Sequence, residues 1–447
     1  SRARLEKRFG GRVSVDSRLG RQAVSYQGNR AQPGLRWMKY KEGFSKPLVE
    51  RFVMEKSPRD LLDPFSGLGT APLVASGHGV NATGIEIMPV GVLAAKGITH
   101  AANGLDKEEF RYIGQEMLRW LSCRKKARAS CRYPHVSITE KAFPEKTEQD
   151  IARAREFIGQ IDAPHMRDIL NLACMSILES VSYTRKDGQY LRWDYRSGRS
   201  LRSHVEIGEI QGFPVALEGR LNEMEEDFDQ VRETFGERHP RFLSGSCLEI
   251  LRELPDSSVD LIVTSPPYAN RYDYTRTYAL ELAWLGLDKT GFSNLRQQML
   301  TATVENKPKL EWLDSIYADD LDTAKAMYQS QEALNEVVGM LSARREELSN
   351  PHVIRMIEGY FLEMAVVVSE LGRILRRGGE VIMVNDNVQY HGEEVPVDFI
   401  LSDFAEQSGM TCRNIWKLPR GKGNSSQQMA MFGRREIRKC VYEWVKE

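Results

Sequence analysis

Cysteine is sparse in this sequence. None of the six (Cys123, Cys131, Cys174, Cys247, Cys412, Cys440) belongs to a C-x-x-C pair. Such scatter argues against a zinc site or a disulfide framework and fits buried or incidental thiols in a reducing compartment. Long apolar runs are also missing. Nothing approaches the ~18 residues needed to cross a bilayer, and the start is basic and polar, unlike a secretory leader. A first residue Ser1 with no Met fits a trimmed or tagged terminus. No internal repeat or low-complexity tract occurs, and the histidines show no metal-ligand spacing. There is no G-x-G-x-x-G at a strand–helix junction and no G-K-[ST], which removes the dinucleotide fingerprint and the P-loop.

What is present is a chain of 447 residues, 41% hydrophobic and 28% charged. That composition excludes a wholly disordered chain and leaves room for two or three units, or for one core with large insertions. The formal net charge of zero hides a division. Residues 1–59 hold 15 Lys and Arg against five acids (Glu6, Asp16, Glu42, Glu50, Glu55), an excess of ten positive charges that the remainder balances. A basic arm on an acidic chain suggests a polyanionic partner, with a solvated tail as the equal alternative.

Residues 60–63 predict a short strand, 64–70 a glycine turn, 71–75 a helix entered through Pro72, and 81–87 a second strand. Strand, turn, helix, strand is the βαβ unit of a parallel α/β sheet. Further strands are expected at 241–245, 259–264 and 380–384. A helix is expected over 353–377, ended by Arg376-Arg377-Gly378-Gly379. Two strands at 411–418 and 439–445 predict a terminal hairpin. Between these blocks, 105–240 and 283–352 are mainly helical in pattern, the second with acids at Glu311, Asp314, Asp319, Asp320 and Asp322. One sheet domain interrupted twice accounts for the length.

The turn carries Gly67 and Gly69, and Glu86 lies 19 residues beyond Gly67. A glycine turn lets a ligand approach backbone N–H groups at the positive end of a helix. A carboxylate at the end of the next strand can accept both ribose hydroxyls. Turn plus acid describes a pocket for an adenosyl amino acid, S-adenosylmethionine; a tight structural turn with a surface Glu is the bland alternative. At 265–268, Ser-Pro-Pro-Tyr follows a β-branched strand, and two prolines force the chain out of the ladder as a stiff loop. The Ser265 hydroxyl and the Pro266 carbonyl are acceptors suited to an exocyclic amine, and the Tyr268 ring can stack on the base that carries it.

These residues resemble a known family. Asp63-Pro64-Phe65-Ser66-Gly67-Leu68-Gly69-Thr70 is similar to the D-P-F-x-G-x-G-T cofactor motif of amino-group DNA methyltransferases, and Ser265-Pro266-Pro267-Tyr268 to their [DNS]-P-P-[YFW] motif. Phe44-Ser45-Lys46-Pro47 resembles the element that closes over the methionine part. Gly245-Ser246-Cys247-Leu248-Glu249 resembles G-D-x-L-E, with Ser246 where the family has an adenine-contacting Asp. The resemblance covers roughly 40–100, 241–282 and 355–447.

It implies a Rossmann-like class I methyltransferase sheet with a C-terminal antiparallel hairpin and two mainly helical insertions. Its parts would be a basic N-terminal arm (1–40), core segments 41–104, 241–282 and 353–447, a target-recognition insertion (105–240) and a helical insertion (283–352). S-adenosylmethionine would be held by Phe44, Ser45, Lys46, Pro47, Asp63, Pro64, Phe65, Gly67, Gly69, Thr70, Glu86, Ile87, Ser246 and Cys247. Ser265, Pro266, Pro267 and Tyr268 would be catalytic. The partner would be duplex DNA entered by base flipping, together with a cognate restriction or defence-system partner, in a bacterial, nucleoid-associated cytoplasm. The Ser variant leans to cytosine N4 over adenine N6, while RNA or protein-amide transfer and a non-catalytic DNA-binding subunit are the rivals. C5 chemistry needs a nucleophilic Cys, typically after Pro, and none of the six follows proline.

In 183–204 the aromatics Tyr183, Tyr190, Trp193 and Tyr195 interleave with Arg185, Lys186, Arg192, Arg196, Arg199 and Arg202, a pattern suited to phosphates and unpaired bases. A second basic cluster runs through Arg119, Arg124, Lys125, Lys126, Arg128 and Arg132, and Lys422 sits in a polar loop of the hairpin. A solvated helix face is the alternative for each cluster.

Overall fold

The computed structural model describes residues 1–447 except 42, 124–126, 188–189, 200–207, 420–421, 424–430 and 434–435. Eight strands form the central sheet: β1 (Val13–Ser14), β2 (Asp60–Asp63), β3 (Asn81–Glu86), β4 (Arg241–Ser244), β5 (Val259–Thr264), β6 (Leu375–Asp386), β7 (Met410–Lys417) and β8 (Lys439–Lys446). Their order is β1-β7-β8-β6-β5-β2-β3-β4. The run from β6 to β4 is parallel, and β8 lies antiparallel between β6 and β7, forming the expected terminal hairpin. The strand order reverses between β2 and β5, so the carboxyl ends there open a crevice of the kind in which α/β sheets bind ligands.

The parallel strands are apolar on both faces, as burial under helices on each side requires. Alternate residues divide between two cores. Leu61, Val263 and Ile382 enter one, packed with the helices Lys46–Lys56, Thr70–Gly77, Pro89–Ala102 and most of the apolar residues of 105–240. Leu62, Ile262 and Met383 enter the other, under helix His352–Ile374, helix Val397–Gln407 and the later helices of 283–352. Each insertion thus thickens mainly one face of the sheet. Within 105–240 the helices are joined by a short antiparallel pair, Thr184–Asp187 with Tyr190–Trp193.

Two sequence expectations change. The long helix ends at Ile374, and Arg376 to Gly379 belong to β6, where Gly378 takes φ +76 beside a register irregularity against β5. Arg376 caps no helix; it pairs with Asp60 and Asp260 across the neighbouring strands. The basic N-terminal segment is neither a free arm nor a solvated tail. Helix Arg2–Phe9 buries Leu5 and Phe9 in the second core, and its arginines meet acids elsewhere in the chain. Arg2 pairs with Glu336 and Glu393, Arg4 with Glu332, Arg8 with Asp403 and Glu406, and Arg12 with Glu406. Further along, Arg36 meets Asp227 and Lys39 meets Glu179. No described helix is long and apolar enough to cross a membrane.

Candidate active site

The glycine turn connects β2 to helix Thr70–Gly77. Gly67 and Gly69 have φ +54 and +80, left-handed values that strain any side chain. A Cβ on residue 69 would lie 2.7 Å from the Phe242 ring, and one on Gly91 of the facing helix would lie 2.4 Å from the Gly67 carbonyl. The turn is therefore pressed between β4 and helix Pro89–Ala102, which fixes its backbone beside the helix N-terminus.

Two carboxyl groups end the adjacent strands. Glu86 accepts from the N–H of Gly67 (2.6 Å) and of Met88 (2.7 Å), one bond on each oxygen. Asp63 Oδ1 accepts from the Thr264 hydroxyl (2.7 Å) and the Phe65 N–H (3.0 Å), which ties β2 to the end of β5. Asp63 Oδ2 and Ser66 Oγ are buried and have no hydrogen-bond partner among the described residues. Neither carboxyl has an ion-pair partner among the described residues. Burial pushes both up to about 7, opposed by Thr264 and the Phe65 N–H at Asp63 and by the Met88 and Gly67 N–H groups at Glu86.

Two cavities meet here. One, of about 420 Å³, is lined by Tyr26, Asn29, Phe44, Asp63, Ser66 and Thr70 among others. The second, of about 530 Å³, is lined by Glu86, Ile87, Ser246, Cys247, Pro267, Tyr274, Met299 and Leu300 among others. Tyr40, Phe65, Gly67 and Ser265 line both. Burial pushes the Cys247 thiol far up, so it is a packing wall here and not a nucleophile.

The Ser-Pro-Pro-Tyr loop leaves β5 at Thr264, as the prolines require. Ser265, Pro267 and Tyr268 are half-buried and Pro266 is buried. The Ser265 and Tyr268 hydroxyls lie 3.3 Å apart, and the Lys439 ammonium stands 5.5 Å from the centre of the Tyr268 ring. Of the sequence-predicted cofactor residues, Phe44, Asp63, Pro64, Phe65, Gly67, Thr70, Glu86, Ile87, Ser246 and Cys247 line one cavity or the other. Gly69 shapes the turn behind them. Ser45, Lys46 and Pro47 line neither. The Ser45 hydroxyl donates to the Ala23 carbonyl, Lys46 pairs with Glu50, and Pro47 opens helix Lys46–Lys56. They hold Phe44 in place, with Asn29 bonding the Phe44 carbonyl and the Lys46 N–H.

Sequence reasoning missed Tyr26, Asn29, Tyr40, Tyr274, Met299 and Leu300. Tyr26 and Asn29 come from a single 3-10 turn, Tyr274 from the four-residue helix Tyr274–Thr277 and the others from loops, all outside any recognised motif. Tyr40 stacks at 4.8 Å on the buried Tyr278, so a residue distant in sequence backs the one that lines both cavities.

The basic stretch divides in the same way. Tyr190, Arg192 and Arg199 are exposed, with the Arg199 guanidinium 3.5 Å over the Trp193 ring. Arg185 is half-buried, and Arg196 is tied to Asp194 and the Ser182 carbonyl. Lys186 departs from the expected phosphate contact: its side chain is 1% exposed, pairs with Glu281 at 2.5 Å and lies over the Tyr278 ring. Arg202 and the Lys422 side chain lie outside the described residues, as do Arg124, Lys125 and Lys126. Arg119 and Arg128 pair with Glu116 and Glu156, and Arg132 is exposed.

No protein-family model matches the chain. It is similar to Type II methyltransferase M.AvaI of Nostoc sp. and of Anabaena variabilis, each 40% identical over 99% of this chain and 92% of the relative. It is also similar to Type II methyltransferase M.BsoBI of Geobacillus stearothermophilus, 36% identical over 100% of this chain and 92% of the relative.

Proposed function

The chain belongs to the Type II methyltransferases, and from that premise we propose that it moves a methyl group from S-adenosylmethionine to an exocyclic base amine in duplex DNA, cytosine N4 in preference to adenine N6. The observation that carries this reading is the position of Ser265, which lines both cavities at the point where they meet. A reacting centre between an amino-acid end and a nucleoside end has to lie at that junction.

The donor set fits an adenosyl amino acid. Thr70 and the unpartnered Asp63 and Ser66 oxygens surround the first cavity, beside the helix N-terminus. Ser66 and the helix end suit a carboxylate, and Asp63 suits an ammonium. Each Glu86 oxygen keeps a lone pair for a ribose hydroxyl, and Ile87 offers an apolar face to adenine. Bound there, S-adenosylmethionine supplies an electrophilic methyl on a sulfonium. The Ser265 hydroxyl and the Pro266 carbonyl accept hydrogen bonds from the target amine, drawing its lone pair out of ring conjugation. Ser265 would direct the amine nitrogen at that methyl, whose bonding pair would stay on sulfur, and would lead the amine's surplus proton to solvent. Tyr268 holds the flipped ring by stacking. The exposed Tyr190, Arg192 and Arg199 are the phosphate and base contacts of this reading. A bacterial cytoplasm and a cognate restriction partner accompany it.

The test is mass spectrometry of nucleosides from plasmid DNA incubated with the protein and labelled cofactor. N4-methylcytosine is expected; N6-methyladenine would correct the base alone, and label in RNA or protein but not DNA would overturn the substrate. Ser265→Ala should lower the transfer rate about 10²–10³-fold, the loss typical of one transition-state hydrogen bond, with cofactor affinity preserved. Equal loss of binding and transfer would remove Ser265 from the chemistry.

A further inference from the structure

The nucleoside cavity ends on the second insertion. Met299 and Leu300, directly after helix Lys289–Gln298, line it together with Glu86 and Ile87. Ser246 stands where the resembling motif has a carboxylate, and its hydroxyl is already committed: it donates to the Gln298 carbonyl at 2.8 Å. The residue that would read adenine by hydrogen bonding instead fastens the insertion to the sheet.

The other side of the same turn is fastened too. Both the N–H and the hydroxyl of Thr301 donate to Glu363, at 2.6 and 2.5 Å. Lys309 donates to Glu363 (2.9 Å), to Thr301 Oγ1 (3.0 Å) and to the Met299 carbonyl. Thr301, Lys309 and Glu363 are all buried. A buried ion pair returns little net stability over an apolar replacement, yet its geometry is specific. Four residues, 298 to 301, are thus pinned from β4's end, from helix His352–Ile374 and from Lys309, and the two between the pins are apolar and face the cavity.

We propose that Met299 and Leu300 are the adenine-selecting wall of the cofactor site, recognising the base by shape in place of a carboxylate, and that Glu363 and Lys309 are its positioning residues. The inference rests on the S-adenosylmethionine reading. It also gives the second insertion a role: it closes the cofactor site.

Calorimetric titration of the full chain tests it, with S-adenosylhomocysteine and with analogues enlarged on the base, by benzyl at N6 or phenyl at C2. Wild type should bind the parent and reject both analogues. Leu300→Ala should weaken the parent about tenfold, the scale of a few lost methyl contacts, and gain at least tenfold for one analogue, inverting the selectivity. Leu300→Trp, which fills the space, should abolish binding of the parent while the melting temperature holds. Glu363→Gln should raise KM for the cofactor several-fold with kcat unchanged, and Glu363→Asp should recover part of that affinity. Unaltered selectivity in Leu300→Ala together with normal binding in Leu300→Trp would overturn the wall while leaving the methyltransferase reading intact. Failure of wild type to bind S-adenosylhomocysteine would overturn both.

Discussion

Two pairs of buried carboxyl groups divide the molecule. Where the insertions pack on the core segments, Glu281 meets Lys186 at 2.5 Å and Glu363 meets Lys309 at 2.9 Å, and all four side chains are nearly or wholly sequestered. At the sheet's carboxyl edge, Asp63 and Glu86 are also buried but have hydrogen bonds and, among the described residues, no cation, and burial lifts both to about 7. Burial also raises Glu281, with Lys186 pulling against it. A buried acid matched by its own chain serves the fold, whereas one left unmatched costs stability that a ligand can return. The molecule concentrates that cost where two cavities meet.

Breaking a matched pair should have the largest effect. Lys186→Met strands the buried Glu281 and should cost about 3–5 kcal/mol of stability, read by urea denaturation. Lys186→Met with Glu281→Leu should recover most of it. If the double variant is as unstable as the single one, Lys186 acts through its packing and not its charge.

The unmatched acids should respond in the opposite sense. In Asp63→Asn, Oδ1 keeps its two donors and the amide replaces an oxygen that has no partner, so no bond is lost. The folded state holds the Asp63 proton more tightly than the unfolded chain, so ionisation erodes stability as pH rises from about 4 to about 7. Asp63→Asn should therefore raise the stability of the ligand-free protein by about 1–3 kcal/mol at pH 8, and leave it unchanged below pH 4. Cofactor affinity should fall about tenfold, the worth of one charged hydrogen bond. Glu86→Gln should lose similar affinity without any gain in stability, because its amide would face the N–H of Gly67 or Met88.

The same acids set a pH profile. Each accepts more strongly from ligand donors, and on both oxygens, when ionised, so affinity for S-adenosylhomocysteine should drop as pH falls through about 7. Calorimetry in wild type and Asp63→Asn checks this: a profile unchanged in the variant would assign the dependence to Glu86.

The smallest effects belong to the surface. Arg4→Ala breaks an exposed pair with Glu332 and should cost under about 1 kcal/mol, with no change in DNA affinity. Arg199→Ala, on an exposed residue without an acid partner among the described residues, should weaken DNA binding several-fold and flatten its salt dependence. Equal DNA effects from the two would return the N-terminal segment to a role in polyanion binding.

Much of the fold was legible because its signals are local. A glycine turn between two short apolar strands, paired prolines after a β-branched run, and the βαβ pattern are properties of adjacent residues. The C-terminal strands paired as expected for the same reason. The end of the long helix was misplaced because Arg376-Arg377-Gly378-Gly379 has the composition of a helix terminus, while its arginine has acids on two neighbouring strands. That preference appears only once the strands are side by side.

The sequence by itself determined the sheet, the two breaks in it and the residues at its carboxyl edge, since chain stereochemistry and hydrophobic alternation act over a few residues. Only tertiary structure decided what the charges do. The ten-charge excess at the N-terminus is taken up largely by acids hundreds of residues away, Lys186 turns inward to Glu281, and Ser246 is engaged by Gln298. Coulombic and hydrogen-bonding partners are chosen by distance in space, which composition and spacing along a chain do not encode.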